Sequence, residues 1–114
     1  MVTATIRMTF SEKAFLEALT ILRSEAEQSR VQPGCLSCRI YRNGQNDNVL
    51  MLEQIWTDQE SLERHLRSDE FRHVLLVLEM STQEPEIRFD TISHSTGMET
   101  IEKAREPNGR YERM

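Results

Sequence analysis

Residues 49–56 read VLMLEQIW, and their alternation puts large apolar groups on both sides of an extended chain: Val49, Met51 and Ile55 on one, Leu50, Leu52 and Trp56 on the other. A strand with two apolar faces needs cover on both. Just upstream, NGQNDN at 43–48 is dense in turn formers. Before it, Cys35 to Arg42 alternates again, with Leu36, Cys38 and Ile40 opposite Cys35, Ser37, Arg39 and Tyr41. The two segments read as a hairpin.

Further out, Val2, Ala4, Ile6, Met8 and Phe10 alternate with Thr3, Thr5, Arg7 and Thr9, the pattern of a half-buried strand. Ser11 is placed to cap a helix whose stripe of Phe15, Ala18, Leu19, Leu22 and Ala26 runs to about Arg30, where Pro33 and Gly34 stop it. Downstream, Thr57 and Glu60 have capping-box spacing, so a second helix is expected from Asp58 with Leu62 and Leu66 inward. A break at Ser68 precedes another apolar stripe of Phe71, Val74, Leu75 and Leu78. Pro85 opens a strand expected over 86–93, with Ile87 and Phe89 opposite Arg88, Asp90 and Ile92. The order βαββαβ predicts a ferredoxin-like α+β domain over residues 1–96, its helices on one face of a four-stranded antiparallel sheet. The other face is expected to be covered by a second copy, since an apolar central strand would otherwise meet water. Residues 97–114 are expected to form a short helix, Met98 to Arg105, and a poorly ordered tail from Glu106.

The chain has 114 residues, 38% hydrophobic and 29% charged, which predicts one soluble domain. Its 19 acidic and 14 basic residues give a net charge of -5, which repels phosphate backbones and argues against a nucleic-acid partner. The longest apolar run, VLLVL at 74–78, is far too short to span a bilayer, so the expected setting is the cytoplasm and not a membrane.

The only two cysteines, Cys35 and Cys38, form a C-x-x-C within PGCLSC at 33–38. In a regular strand, residues three apart face opposite ways and lie roughly 10 Å apart along the chain. A disulfide needs Cα atoms within roughly 7 Å, so the pair is not expected to bond unless the strand starts after Cys38. A redox role predicts both thiols on one exposed turn. A metal site lacks a second C-x-x-C or a paired histidine motif, and no metal is expected. The plainer reading is two small buried hydrophobes.

Together, P-G-C-L-S-C-R-I-Y (33–41) and E-Q-I-W-T-D-Q-E-S-L-E-R-H-L-R-S-D-E-F (53–71) resemble the antibiotic biosynthesis monooxygenase (ABM) family over Val2 to His94. The resemblance implies a dimeric α/β barrel with a pocket between helices and sheet in each subunit. It also implies cofactor-independent oxidation of a phenolic or hydroquinone-type aromatic by O2, with no flavin, haem or metal.

On the same resemblance, Trp56 matches the strand-end tryptophan and His65 the helix histidine, implying a pocket wall that donates a hydrogen bond and a base for the phenolic proton. As residues alone, they read equally as a core aromatic and a helix histidine held by a carboxylate. Arg7 and Arg39 are candidates to stabilise an oxyanion or are solvated strand residues, and Tyr41 joins them as a candidate substrate contact. Phe71, Leu75 and Leu78 read as core, with Phe71 and Leu75 also candidate pocket lining. His73 and His94 have no assigned role.

Two departures matter. The quinone-forming branch carries an asparagine four residues before the strand-end tryptophan, where this chain has Leu52, which is kept as a candidate substrate contact. Aligned through L-x-S-D-x-F, the haem-degrading branch's iron ligand falls at Leu75, which cannot ligate iron. The alternative to an enzyme is a small-ligand-binding or stress-associated dimer of the same fold.

Overall fold

The computed structural model describes residues 1–106; the expected tail lies, after Glu106, outside the described residues. In order the elements are β1 (Val2–Thr9), α1 (Glu12–Arg30), β2 (Cys35–Arg42), β3 (Val49–Trp56), α2 (Gln59–Leu66), α3 (Phe71–Met80), β4 (Glu86–Thr91) and α4 (Met98–Arg105). The strands pair antiparallel in the order β2-β3-β1-β4, giving the expected ferredoxin-like α+β fold. No described helix is long and apolar enough to cross a membrane.

Capping chemistry fixes where the helices begin. Ser11 accepts from the Ala14 N–H at the start of α1. Asp58, not Thr57, caps α2 by accepting from the Ser61 N–H at 2.8 Å, so the cap lies one residue later than the Thr57/Glu60 spacing implies. Ser68 closes α2 by donating to the His65 carbonyl at 2.6 Å and opens α3 by accepting from the Phe71 N–H at 3.3 Å. One hydroxyl therefore makes the break between the helices. In α3 the buried residues are Phe71, Val74 and Val77. That face is centred on Val74, about 100° around the helix from Leu75, which is 48% exposed and not in the core.

The main core packs Ile6, Met8, Leu50 and Leu52 from the sheet against Phe15, Leu22, Val74 and Val77 from α1 and α3. A smaller cluster joins Val2, Ala4 and Trp56 to Leu62 of α2. The strand after PG corrects the expected alternation. Cys35 pairs with Trp56 and Ser37 with Ile55, so Leu36 is the extra residue of a β-bulge. The bulge turns Cys35 onto the helix-covered face, the same face as Cys38, and leaves Leu36 exposed. Both thiols are free; Cys38 is buried and Cys35 half-buried, so neither sits on an exposed turn.

The uncovered face of the sheet carries Thr3, Thr5, Arg7 and Thr9 of β1 and Val49, Met51, Glu53 and Ile55 of β3. Its apolar character is thus a stripe along β3, flanked by polar side chains.

Candidate functional site

Glu25 projects from the buried stripe of α1, one turn after Leu22, and its side chain is 0% exposed. Its Oε1 accepts from Ser29 Oγ at 3.3 Å and stands 3.5 Å from Nε2 of His65, whose side chain is 2% exposed. The other oxygen, Oε2, lies 3.8 Å from Nδ1 of His73 on α3, a residue 56% exposed. Gln54 of β3 completes the group: its Nε2 is 3.4 Å from His65 Nε2, 3.4 Å from Ser29 Oγ and 3.5 Å from Cys38 Sγ. Five elements, α1, β2, β3, α2 and α3, therefore meet in one buried polar cluster that reaches the surface at His73.

Aromatic contacts hold the imidazole. The ring of His65 lies over Trp56 with centroids 4.7 Å apart and planes 31° apart, and Phe71 meets it edge-on at 5.4 Å. Trp56 is 0% exposed, and its indole N–H is buried with no hydrogen-bond partner among the described residues. A buried unpaired donor is costly, which makes this N–H a free contact for an oxygen atom brought beside it.

Burial sets the protonation states. Desolvation pushes the Glu25 carboxyl up, against smaller lowering effects from the Ser29 hydrogen bond and from His73. Desolvation pushes the His65 imidazole down. Both shifts favour the uncharged forms, a carboxylic acid beside a neutral imidazole. With Glu25 ionised, Nε2–H of His65 points to it and Nδ1 keeps the lone pair; with Nε2 bare, Gln54 donates to it. Either tautomer presents a neutral imidazole as a base. Burial also raises both thiols, Cys35 and Cys38, away from the reactive thiolate form. Among the described residues, no three His, Cys, Asp or Glu side chains gather as a metal-binding group.

Of the residues singled out in the sequence, the structure brings together His65, Trp56 and Phe71. Leu52 is fully buried on the helix face of β3, two residues along that face from Gln54. Arg7, Arg39 and Tyr41 belong to the other face: Arg7 pairs with Glu86 at 2.7 Å, Tyr41 donates to Glu53 at 3.4 Å, and Arg39 pairs in register with Glu53. The sheet separates them from His65. Leu75 points to solvent on the outer side of α3.

Sequence reasoning missed Glu25, Ser29 and Gln54. The available signal was helical phase, since Glu25 and Ser29 fall on the same stripe as Ala18, Leu22 and Ala26.

Fold and site together define a small ferredoxin-like α+β protein with a buried, neutral imidazole packed on an indole. The sequence profile of the antibiotic biosynthesis monooxygenase family matches residues 1–75, and the chain belongs to that family. Among similar solved structures is SnoaB, a cofactor-independent oxygenase from Streptomyces nogalater solved as an asparagine-to-alanine variant. It is 25% identical, with a TM-score of 0.71, covering 82% of this chain and 94% of SnoaB. A conserved protein from Methanosarcina mazei Go1 is 24% identical, with a TM-score of 0.73 and coverage of 78% and 89%. A further antibiotic biosynthesis monooxygenase is 19% identical, with a TM-score of 0.74 and coverage of 82% and 100%. These last two bear on the fold alone. No curated protein sequence matches the chain.

Proposed function

We propose that the chain is a homodimeric, cofactor-independent oxygenase that converts a phenolic or hydroquinone-type aromatic to a quinone with O2. The observation that carries this reading is the neutral His65 packed on Trp56 beside an unpaired indole N–H. Neutral His65 takes the phenolic proton, and the phenolate passes one electron to O2. The resulting radical and superoxide join in a carbon–oxygen bond. Loss of the ring C–H proton then cleaves the O–O bond, leaving one oxygen as the quinone carbonyl and releasing the other as water. The indole N–H donates to the peroxide oxygen as charge builds on it. Glu25 holds the imidazole in place and shares its proton.

Trp56 and His65 are closed to solvent, so a substrate reaches them only if the side chains or helices around them move. That closure, together with Leu52 in place of an asparagine, favours a second reading as a ligand-binding dimer without chemistry.

Oxygen uptake by metal-free protein over a panel of hydroquinones and anthrone-like phenols separates the two. Expected is turnover above the buffer blank that falls about 100-fold in His65→Ala, in line with loss of a general base. Trp56→Phe, checked for folding by circular dichroism, is expected to lose turnover as well. Uptake equal to the blank throughout, with saturable binding of a panel member, would favour the binding protein.

A further inference from the structure

We infer that the cleft between α1 and β2 is a binding site for an organic anion, a carboxylate carried on an apolar body. The cleft holds about 350 Å³; Leu19, Ile40 and Leu50 line it together with Arg23, Arg30 and Arg42. That volume falls within the range of small-molecule pockets, roughly 300–1,000 Å³. It lies on the helix side of the sheet, on the opposite side of β2 from Arg39 and Tyr41.

The state of the arginines carries the argument. Arg7, Arg64, Arg72 and Arg88 each pair with a carboxylate on the protein surface. Among the described residues, no ion pair engages Arg23, Arg30 or Arg42, three exposed arginines grouped in this one cleft, although acidic residues outnumber basic ones by 19 to 14; Arg39 and Arg67 are likewise without an ion pair but lie outside its lining. Two of the three are held in place by groups that leave their charge uncompensated. Arg30 donates from Nε to the Cys38 carbonyl at 3.0 Å, and Arg42 donates from Nε to the Asp47 carbonyl at 2.9 Å. Arg42 also lies 4.4 Å over the ring of Phe15, which fixes its plane. Both anchors use Nε and leave the terminal Nη groups as a fork, the geometry that takes both oxygens of a carboxylate. Glu27 shares the lining, so three cations face one anion and the cleft keeps a net positive charge. The apolar lining supplies the contact area for the rest of the ligand.

Calorimetric titration with 2-naphthoate tests the site in a way that does not depend on turnover. The controls are 2-naphthalenemethanol, which has the body without the charge, and inorganic phosphate, which has the charge without the body. Expected is saturable naphthoate binding that weakens about tenfold in Arg30→Gln/Arg42→Gln and weakens with added salt, with the two controls binding far more weakly. Arg23→Gln disturbs neither backbone anchor, so its expected loss of affinity is not confounded by a folding defect. Amide shifts at Ile40 and Leu50 should locate the ligand. No binding at millimolar naphthoate, binding unchanged in all three arginine substitutions, or either control binding as tightly as naphthoate would overturn the assignment. Because no oxygen chemistry is read, absence of oxygenase activity leaves this result standing, and absence of binding leaves the oxygenase proposal untouched.

Discussion

A carboxylate with no exposed side-chain surface depends on its neighbours, and Glu25 has one hydroxyl at 3.3 Å and two imidazoles at 3.5 and 3.8 Å. Those distances are long for charge-assisted hydrogen bonds, so the compensation for burying a charge is incomplete. Hence the raised carboxyl, and a definite dependence of stability on pH. Because its folded pKa lies above the unfolded value of 4.5, the protonated group contributes its stability below that value and loses it as pH rises through the folded pKa. Glu25→Gln keeps the acceptor for Ser29 and removes the charge. It is expected to raise neutral-pH stability by about 1 kcal/mol or more, the gain shrinking toward zero below the unfolded pKa. Melting temperatures of both proteins across acid to alkaline pH check this; an equal offset at every pH would mean that the charge is not the cause. A site that is more stable without its acid is one where stability has been given up for another property, which fits a proton-sharing role beside His65. At this scale the sequence was legible for where Trp56 and His65 sit, because a strand end and a capped helix are set by local pattern. Glu25 was not, because its partners lie 40 and 48 residues away and only tertiary packing joins them.

The turn from α1 into β2 rests on Gly34, whose φ of 87° lies in the region open to glycine. Its carbonyl accepts from the Thr57 N–H at 2.8 Å, and a Cβ there would collide with the Ser61 side chain, 2.6 Å from its Cβ. Ser61 is the residue whose N–H is held by Asp58 at the start of α2. Gly34 thus sets how closely α2, and His65 with it, approaches the end of β3. Gly34→Ala is expected to cost about 2–4 kcal/mol, combining left-handed strain with the overlap. Gly34→Ala/Ser61→Gly should recover only the steric part, measured by urea unfolding; full recovery would mean that the backbone angle carries no strain. The PG dipeptide announced a turn, yet the bulge after it was invisible, since an extra residue leaves no mark on an alternating pattern until its partner strand is known. The same limit applies to α3. Phe71, Val74, Leu75 and Leu78 formed an apolar stripe, but so did Phe71, Val74 and Val77; packing buries the second set, keeps Leu78 against the core and leaves Leu75 in solvent. The strands and helices themselves were legible because capping residues and periodicity act within a few residues of each other.

The described residues form an elongated body, 51 × 34 × 23 Å, with a radius of gyration of 17.3 Å, against about 13 Å for a compact domain of 100 residues. Among the uncovered apolar surfaces, which also include Leu75 and Leu76 on α3 and Ile87 and Phe89 on β4, two bear on assembly. The open sheet face carries the β3 stripe of Met51 and Ile55, and α4 buries nothing while exposing Met98 and Ile101. An isolated helix shorter than about 12–15 residues is marginal in water, so an eight-residue α4 needs a surface to lie on. A second copy meets both needs if two sheets stack face to face, with β3 of each at the centre and the α4 segments beside the edge strands. The test is mass by light scattering at micromolar concentration. The unaltered protein is expected at twice the mass of one chain. Met51→Glu/Ile55→Arg places a charge of each sign on the stripe and is expected to halve that mass while leaving the melting profile of the monomer cooperative. If the sheet variant keeps the full mass and Met98→Asp/Ile101→Asp halves it instead, the contact runs through α4 and the sheet faces water. A single-chain mass for the unaltered protein would remove the dimer altogether, and the β3 stripe would then be no larger than the exposed apolar patches that monomers ordinarily carry.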